Sequence, residues 1–344
     1  MNTPALASDF GVVIPAKPEH LHWARGACAS VRRFMGDTPI CVLLDGDRAP
    51  RDLQRAAGIT VITRDEVEPK ELRDSCFRSP RAKNAALWAS PFETFLLIDA
   101  DTIVWGDMRE LADFDRHDFI VDSPGVEPLS SVMDAEQVVA RFPEFDARRH
   151  VGSYVNNGVY FGRRGILDLE RYLHALRVAR EHPGMFYGSQ GSFNYVLFAA
   201  VDDGSVRLEQ RALQVQTGRT PRTDVLRRFA FRGTEPVVTG EPVVLHWVVS
   251  PKPKARVQRD DYFEPMTHFR LAFRRGERAD GSPGALDLWR LRLEDMACSD
   301  FRGSNLRGRF ARVRRRSRKR YAALRVQLRR MTPDWLVAAL RGNG

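Results

Sequence analysis

The stretch Phe95–Asp101, Phe-Leu-Leu-Ile-Asp-Ala-Asp, decides how the rest of the chain is read. An apolar run closed by carboxylates has the form of a buried central strand whose C-terminal end opens into a site. Side chains alternate along a strand, so Asp99 and Asp101 are expected to point the same way while Ala100 turns back. Two like charges held side by side repel, and a cation between them removes the repulsion. Oxygen ligands of this kind suit a hard divalent ion, Mg2+ or Mn2+, that can also hold a diphosphate. The same aspartates would equally serve to cap the turn after the strand. Local sequence leaves both readings open.

Outward from this stretch, strands alternate with helices. Phe10–Pro15 reads as a first buried strand, followed by helical character from Pro18 to Phe34 that ends near Gly36. Ile40–Leu44 and Ile59–Thr63 are further strands. Ser79-Pro80 forms an N-cap and first-turn pair for a helix running to about Ala89. Thr102–Trp105 is read as a continuing strand, and Asp107 with Glu110 as a helix capping box, a structural role for Asp107. This alternation argues for a mostly parallel α/β sheet, whose ligands bind at the carboxyl ends of its strands, where Asp99 and Asp101 fall. Residues 122–150 read as irregular and charged, covering one side of the site. Tyr154–Phe161 is a strand entered through a turn, Ile166–Arg180 a helix with Leu169, Leu173 and Leu176 inward, and Ser189–Ala199 a helix with Ser189 as N-cap. Val243–Val248 is a strand carrying His246, followed by Ser-Pro-Lys-Pro-Lys at residues 250–254.

Of the 344 residues, 43% are hydrophobic and 28% charged, the balance of a soluble globular chain long enough for one large core or two modest ones. No run of 18 apolar residues exists, so no transmembrane helix is expected, and Met1–Phe10 lacks the basic and apolar regions of a signal peptide. Cys28, Cys41, Cys76 and Cys298 have no metal or disulfide spacing and fit a reducing cytosol. The net charge of +10 is unevenly placed: residues 301–344 hold 14 Lys/Arg against Asp334, whereas the first 300 residues hold 40 basic and 43 acidic groups. Leu306, Phe310, Val313, Tyr321, Leu324 and Leu328 recur at helical steps through this Arg-rich tail, and Thr332-Pro333 stops the pattern before a short second helix. Cationic and apolar residues on one helix are what an anionic membrane surface attracts; docking of the stripe on the protein's own surface is the alternative. No nucleic-acid module is present, so no nucleic-acid partner is expected.

The segment Lys83–Val104, Lys-Asn-Ala-Ala-Leu-Trp-Ala-Ser-Pro-Phe-Glu-Thr-Phe-Leu-Leu-Ile-Asp-Ala-Asp-Thr-Ile-Val, resembles the core of glycogenin-like family 8 glycosyltransferases, with Lys83 preceding Asp99 by 16 positions. Asn156-Asn157-Gly158-Val159 is similar to that family's Asn-x-Gly-Val strand, and His246 followed by Lys252-Pro253 to its late histidine and Lys-Pro pair. The likeness covers roughly Gly11 to Lys254 and leaves out the tail. It implies the GT-A, Rossmann-like fold: a mostly parallel central sheet flanked by helices, here with a basic helical C-terminal extension. The expected division is a GT-A domain over 1–270, a connecting helical segment over 271–300 and basic amphipathic helices over 301–344. It further implies retention of anomeric configuration, with the leaving diphosphate as base.

Under this resemblance Asp99, Asp101 and His246 would ligate Mn2+ or Mg2+. The nucleotide-diphosphate sugar would touch Val13, Pro15, Ala16, Lys83, Asp99, Ala100 and Lys252. Lys252, Gln190 and Asn156 are the candidate catalytic residues, Lys252 by stabilising the departing diphosphate from a closing loop. Read alone, His246 suits a buried hydrogen-bonded histidine, Lys252 a solvated loop and Asn156 a turn. Asp45-Gly46-Asp47 also follows a strand and is a rival metal pair. Two positions depart from the family pattern: Ser189-Gln190 stands where the family has Asp-Gln, and Val249 where it has glycine. The function expected is transfer of a hexose from a UDP-sugar to a saccharide or lipid-linked acceptor, in the cytoplasm and peripherally on the cell membrane's inner face. The alternatives are a sugar-1-phosphate nucleotidyltransferase, for which Pro15-Ala16-Lys17-Pro18 is not the Gly-rich loop required, or a non-catalytic sugar-nucleotide or polyanion-binding protein.

Overall fold

The structure is a computed structural model that describes residues 9–122, 128–152, 154–248, 264–276 and 284–301, with side chains to residue 295. The chain divides into two compact units, 1–295 and 296–344, and the first is described here. Among the described residues, twelve strands form three sheets. They are β1 (Phe10–Ala16), β2 (Ile40–Leu44), β3 (Ile59–Thr63), β4 (Thr94–Ile98), β5 (Thr102–Trp105) and β6 (Phe119–Asp122), then β7 (Val159–Arg163), β8 (Leu208–Arg211), β9 (Gln214–Gln216), β10 (Phe231–Arg232), β11 (Glu235–Pro236) and β12 (Val243–His246). The main sheet has the order β3-β2-β1-β4-β7-β6-β8; β1–β4 run parallel, β7 is antiparallel to both its neighbours, and β6 pairs β8 in parallel. The mostly parallel α/β sheet expected from the sequence is present.

β1 from Gly11 onward and the whole of β4 are buried because both faces of the sheet are covered. Val13, Phe95 and Leu97 enter one core cluster, with Phe119 and Tyr160; Val12, Ile14, Leu96 and Ile98 enter the opposite one, with Ala24, Ala27 and Val31 of the Leu21–Met35 helix. That helix also receives the Glu264–Arg275 helix at Gly26, where an added Cβ would lie 2.6 Å from the Met266 sulfur. Arg270, 1% exposed, is held by Asp295 at 2.7 Å and Glu294 at 2.8 Å, tying Glu264–Arg275 to the Ala285–Phe301 helix.

Two expectations change. Thr102–Trp105 is a strand, but it does not continue in the main sheet. It pairs β12 antiparallel in a three-stranded sheet of order β5-β12-β9, whose Ile103, Trp105, Leu245 and Trp247 pack with Phe269 in a third cluster. Residues 128–150 are not wholly irregular: Ala135–Arg141 is a helix capped by Asp134, which accepts from the Gln137 N–H. Its one buried residue is Val138, so no apolar stripe announces it.

From β1 the chain steps outward through β2 to β3, then returns to lay β4 on the other side of β1. The carboxyl ends of β1 and β4 therefore flank a point where strand order reverses, the usual place for a crevice in such sheets.

Candidate active site

Asp99 and Asp101 lie just past β4, in the turn that carries the chain from the main sheet into β5. Their convergence comes from this turn, not from strand alternation as the sequence suggested. The Asp99 N–H donates to Gly158 O at 2.8 Å, and Thr102 Oγ1 donates to Asp99 O at 2.6 Å. Opposite Thr102 in the β5–β12 register stands His246, and the next residue, Trp247, donates its N–H to Asp101 O at 3.2 Å. The second sheet thus delivers an imidazole to carboxylates placed by the first. His246 Nε2 is 3.6 Å from both Asp99 Oδ2 and Asp101 Oδ1, and one donor atom from each residue falls within 4.8 Å of the others. A separation of 3.6 Å is beyond hydrogen-bond length. Two hard oxygens and an imidazole nitrogen so spaced suit a common divalent ion such as Mn2+ or Mg2+.

Lys83 Nζ reaches Asp99 Oδ2 at 2.9 Å and Oδ1 at 3.2 Å. It comes from the Pro80–Ala85 segment, which Ser79 caps by accepting from the Arg81 N–H; this turn is 3-10 and becomes α-helical only over Ala86–Ala89. A cleft of about 370 Å³ opens here, lined by Pro15, Ala16, Lys17 and His20 from the end of β1 onward, by Lys83, Asp99, Ala100 and Asp101, and by Asn156, Ser189, Gln190 and His246. Val13, expected at the nucleotide, is fully buried in the core and does not line the cleft. Lys252, Lys254 and Val249 lie outside the described residues, as does the tail from 302 onward.

Several buried groups hold this arrangement, among them Asn84, to which sequence reasoning assigned no role, and Asn194, which helical spacing places on one face with Gln190. Asn84 donates to Ser189 O and to the Tyr172 hydroxyl, both at 3.0 Å, and accepts from Asn157 at 2.9 Å. One amide beside Lys83 therefore joins the segments bearing Asn156 and Gln190. Asn194 adds a clamp from the Gln190–Asp202 helix, accepting from the Val155 N–H at 2.7 Å and donating to Val155 O at 2.8 Å. Ser189 stands at the N-cap of that helix as expected, yet its side chain makes no capping bond. Burial, with the negative charge of Asp99 added, pushes the Tyr160 hydroxyl well above its ordinary pKa. Burial likewise raises Asp122, against hydrogen bonds from Leu213 and Gln214 that favour its charged form.

Of the rival pair, Asp45 is otherwise engaged. Both oxygens of Asp45 accept from the backbone N–H of Arg78 at 3.0 Å, while Asp47 is exposed. Asp107 caps the Met108–Leu111 turn by accepting from the Arg109 N–H, a structural role as expected. Cys28, Cys41 and Cys76 are buried core residues whose thiols burial pushes up to about 12.

No protein-family model matches the chain, and no curated protein matches it. Among solved structures, the apo form of the bifunctional glycosyltransferase WbbM superposes with a TM-score of 0.53 at 12% identity, covering 85% of this chain and 53% of WbbM. The fold is GT-A. The chain spans about half the length of WbbM, and at this identity the likeness shows the fold alone. The galactosyltransferase LgtC in complex with donor and acceptor sugar analogs is similar at 17% identity and TM-score 0.49, covering 76% of this chain and 95% of LgtC. GlyE of Streptococcus pneumoniae TIGR4 is similar at 16% identity and TM-score 0.47, covering 81% of this chain and 63% of GlyE. In GT-A terms, the Asp99–Asp101 turn and the end of β1 meet at the switch point of the main sheet.

Proposed function

We propose that this chain is a metal-dependent glycosyltransferase that moves a hexose from a nucleotide-diphosphate sugar, a UDP-sugar in the first instance, to a saccharide or lipid-linked acceptor. The observation that carries the reading is the meeting of Asp99, Asp101 and His246 beside a cleft at the strand-order switch of a GT-A sheet. A diphosphate leaving group needs its charge neutralised as the glycosidic bond breaks. A bound Mn2+ or Mg2+ supplies that as Lewis acid and template. The residues of the chain do the rest. Asp99, Asp101 and His246 hold the ion, and Lys83 balances the Asp99 carboxylate and adds positive charge to the cleft. Pro15, Ala16 and Ala100 supply walls for the nucleotide, and Asn156 and Gln190 present amides to the transferred sugar. Lys252 is assigned to the departing diphosphate by its place after His246 in the sequence. Membership of family 8, retention of configuration and attachment of the basic tail to the cytoplasmic face of an anionic membrane belong to the same proposal. Among the described residues no helix is long and apolar enough to cross a membrane.

The experiment is a panel of nucleotide sugars with Mn2+ or Mg2+, scored for nucleotide release. Release from one sugar nucleotide that stops on chelation supports the reading. No release from any donor, or release indifferent to chelator, would contradict it.

A further inference from the structure

His246 uses only one ring nitrogen toward Asp99 and Asp101. The other, Nδ1, lies 2.6 Å from Gln214 Oε1 on β9. Gln214 Nε2 in turn donates to Asp122 Oδ2 at 3.0 Å, and Asp122 Oδ1 accepts the backbone N–H groups of Leu213 at 2.9 Å and Gln214 at 3.1 Å. Asp122 ends β6 and is 8% exposed, so β6 and β9 are joined to His246 of β12 through two side chains, Asp122 and Gln214, that do not line the cleft. The direction of the chain follows from its far end. An ionised carboxylate only accepts, so the Gln214 NH2 must face Asp122 and its carbonyl must face His246. A carbonyl at Nδ1 requires the proton there, which leaves the lone pair of a neutral ring on Nε2, 3.6 Å from the two carboxylates.

We propose that Asp122 and Gln214 are positioning residues that lock His246 in its Nδ1–H tautomer and so prepare Nε2 to bind a divalent cation. The proposal rests on the metal reading above and extends it to groups that touch neither ion nor substrate. Outer partners of this kind fix ring orientation and raise the basicity of the ligand, and their loss typically costs roughly 10- to 100-fold in metal affinity.

Asp122→Asn tests it with almost no change of shape. The asparagine carbonyl keeps the two backbone N–H groups, and its NH2 then faces Gln214. The Gln214 amide must turn over, presenting NH2 to Nδ1, and the ring proton moves to Nε2 where the cation would bind. Two measurements on the full chain are made at mildly alkaline pH: Mn2+ affinity by calorimetry, and the His246 tautomer by nitrogen NMR of the metal-free protein. The wild type is expected to carry its proton on Nδ1. The variant is expected to carry it on Nε2 and to bind Mn2+ roughly 10- to 100-fold more weakly. If Asp122→Asn does not fold, Gln214→Leu removes the acceptor at Nδ1 and is expected to weaken Mn2+ binding at least tenfold, roughly. A wild-type proton on Nε2, or a variant with unchanged tautomer and affinity, would overturn the proposal alone. A wild type that binds neither Mn2+ nor Mg2+ would overturn the metal reading and the proposal with it.

Discussion

Gly158 has no room for a side chain. A Cβ there would lie 2.6 Å from His246 Cε1, 2.8 Å from Asp99 Oδ2 and 2.9 Å from Asn156 Oδ1. The glycine lets the turn before β7 press against two of the three proposed metal ligands, so Gly158→Ala should spread them. We expect Mn2+ affinity to fall at least tenfold with a stability loss of about 1–3 kcal/mol, the usual range for overpacking; calorimetric titration and thermal melts check both. Asp45→Asn should behave in the opposite way. Its carboxylate holds the Arg78 N–H, where the backbone has φ 59°, outside ordinary side-chain territory. The substitution should lower stability by about 1 kcal/mol, the worth of such a hydrogen bond. Metal-dependent turnover should stay within about threefold of wild type, far less than the loss of a transition-state contact. At this scale the sequence was informative where chemistry announces itself, as at Asp99, Asp101 and His246. It was silent at Asp122, Gln214 and Asn84, polar residues whose partners lie 32 to 124 positions away: His246 for Gln214 and for Asp122 through it, and Ser189 for Asn84.

At the scale of elements, β2 and β3 occupy the residues expected from their short β-branched runs bounded by turn residues. The strand character of Thr102–Trp105 was equally legible, but its sheet was not, because strand partners are chosen by tertiary packing. The switch of sheets at Asp99–Asp101 is what makes the site, and nothing local signals it. The Glu264–Arg275 helix offers a pH test of the same packing. His268 sits 4.9 Å from the rings of both Phe231 and Phe269, and burial lowers its pKa from 6.5 to about 4. Between those values the unfolded chain binds a proton that the folded chain does not, so stability falls as pH drops from 6.5 to about 4. The full shift would correspond to about 3 kcal/mol; partial exposure of the ring reduces this to about 2. Denaturant melts should show His268→Phe with a shallower acid limb by that amount. An unchanged limb would mean that the ring accepts a proton in place.

Over the whole molecule, the chain carries two separate charge regimes. The first 300 residues are nearly balanced, and the 14 basic groups of 301–344 account for the net positive charge. The tail lies outside the described residues, so its role is argued from composition alone: each basic group near an anionic surface contributes on the order of 1 kcal/mol, and several suffice for salt-sensitive attachment. Full-length protein should co-sediment with anionic but not neutral vesicles, and release at high salt; a truncation after Phe301 should not bind. Equal sedimentation of both forms would remove the tail from the account. The order of strands through β5, and β7 after them, was legible at this scale because strand and helix signals alternate there, but β6 (Phe119–Asp122) was not read from the sequence. The return of β12 beside β5, a pairing of residues some 140 positions apart, was not.

The central claim, that Asp99, Asp101 and His246 hold a cation for a nucleotide diphosphate, is tested most directly by calorimetric titration of UDP into the protein with and without Mn2+. Wild-type protein should bind UDP in the presence of Mn2+ and at least tenfold more weakly without it, since the ion carries the diphosphate contact. Asp101→Asn, folded by its thermal melt, should lose the Mn2+-dependent part. UDP binding that ignores Mn2+, or that survives in Asp101→Asn and vanishes in Asp45→Asn, would contradict the account.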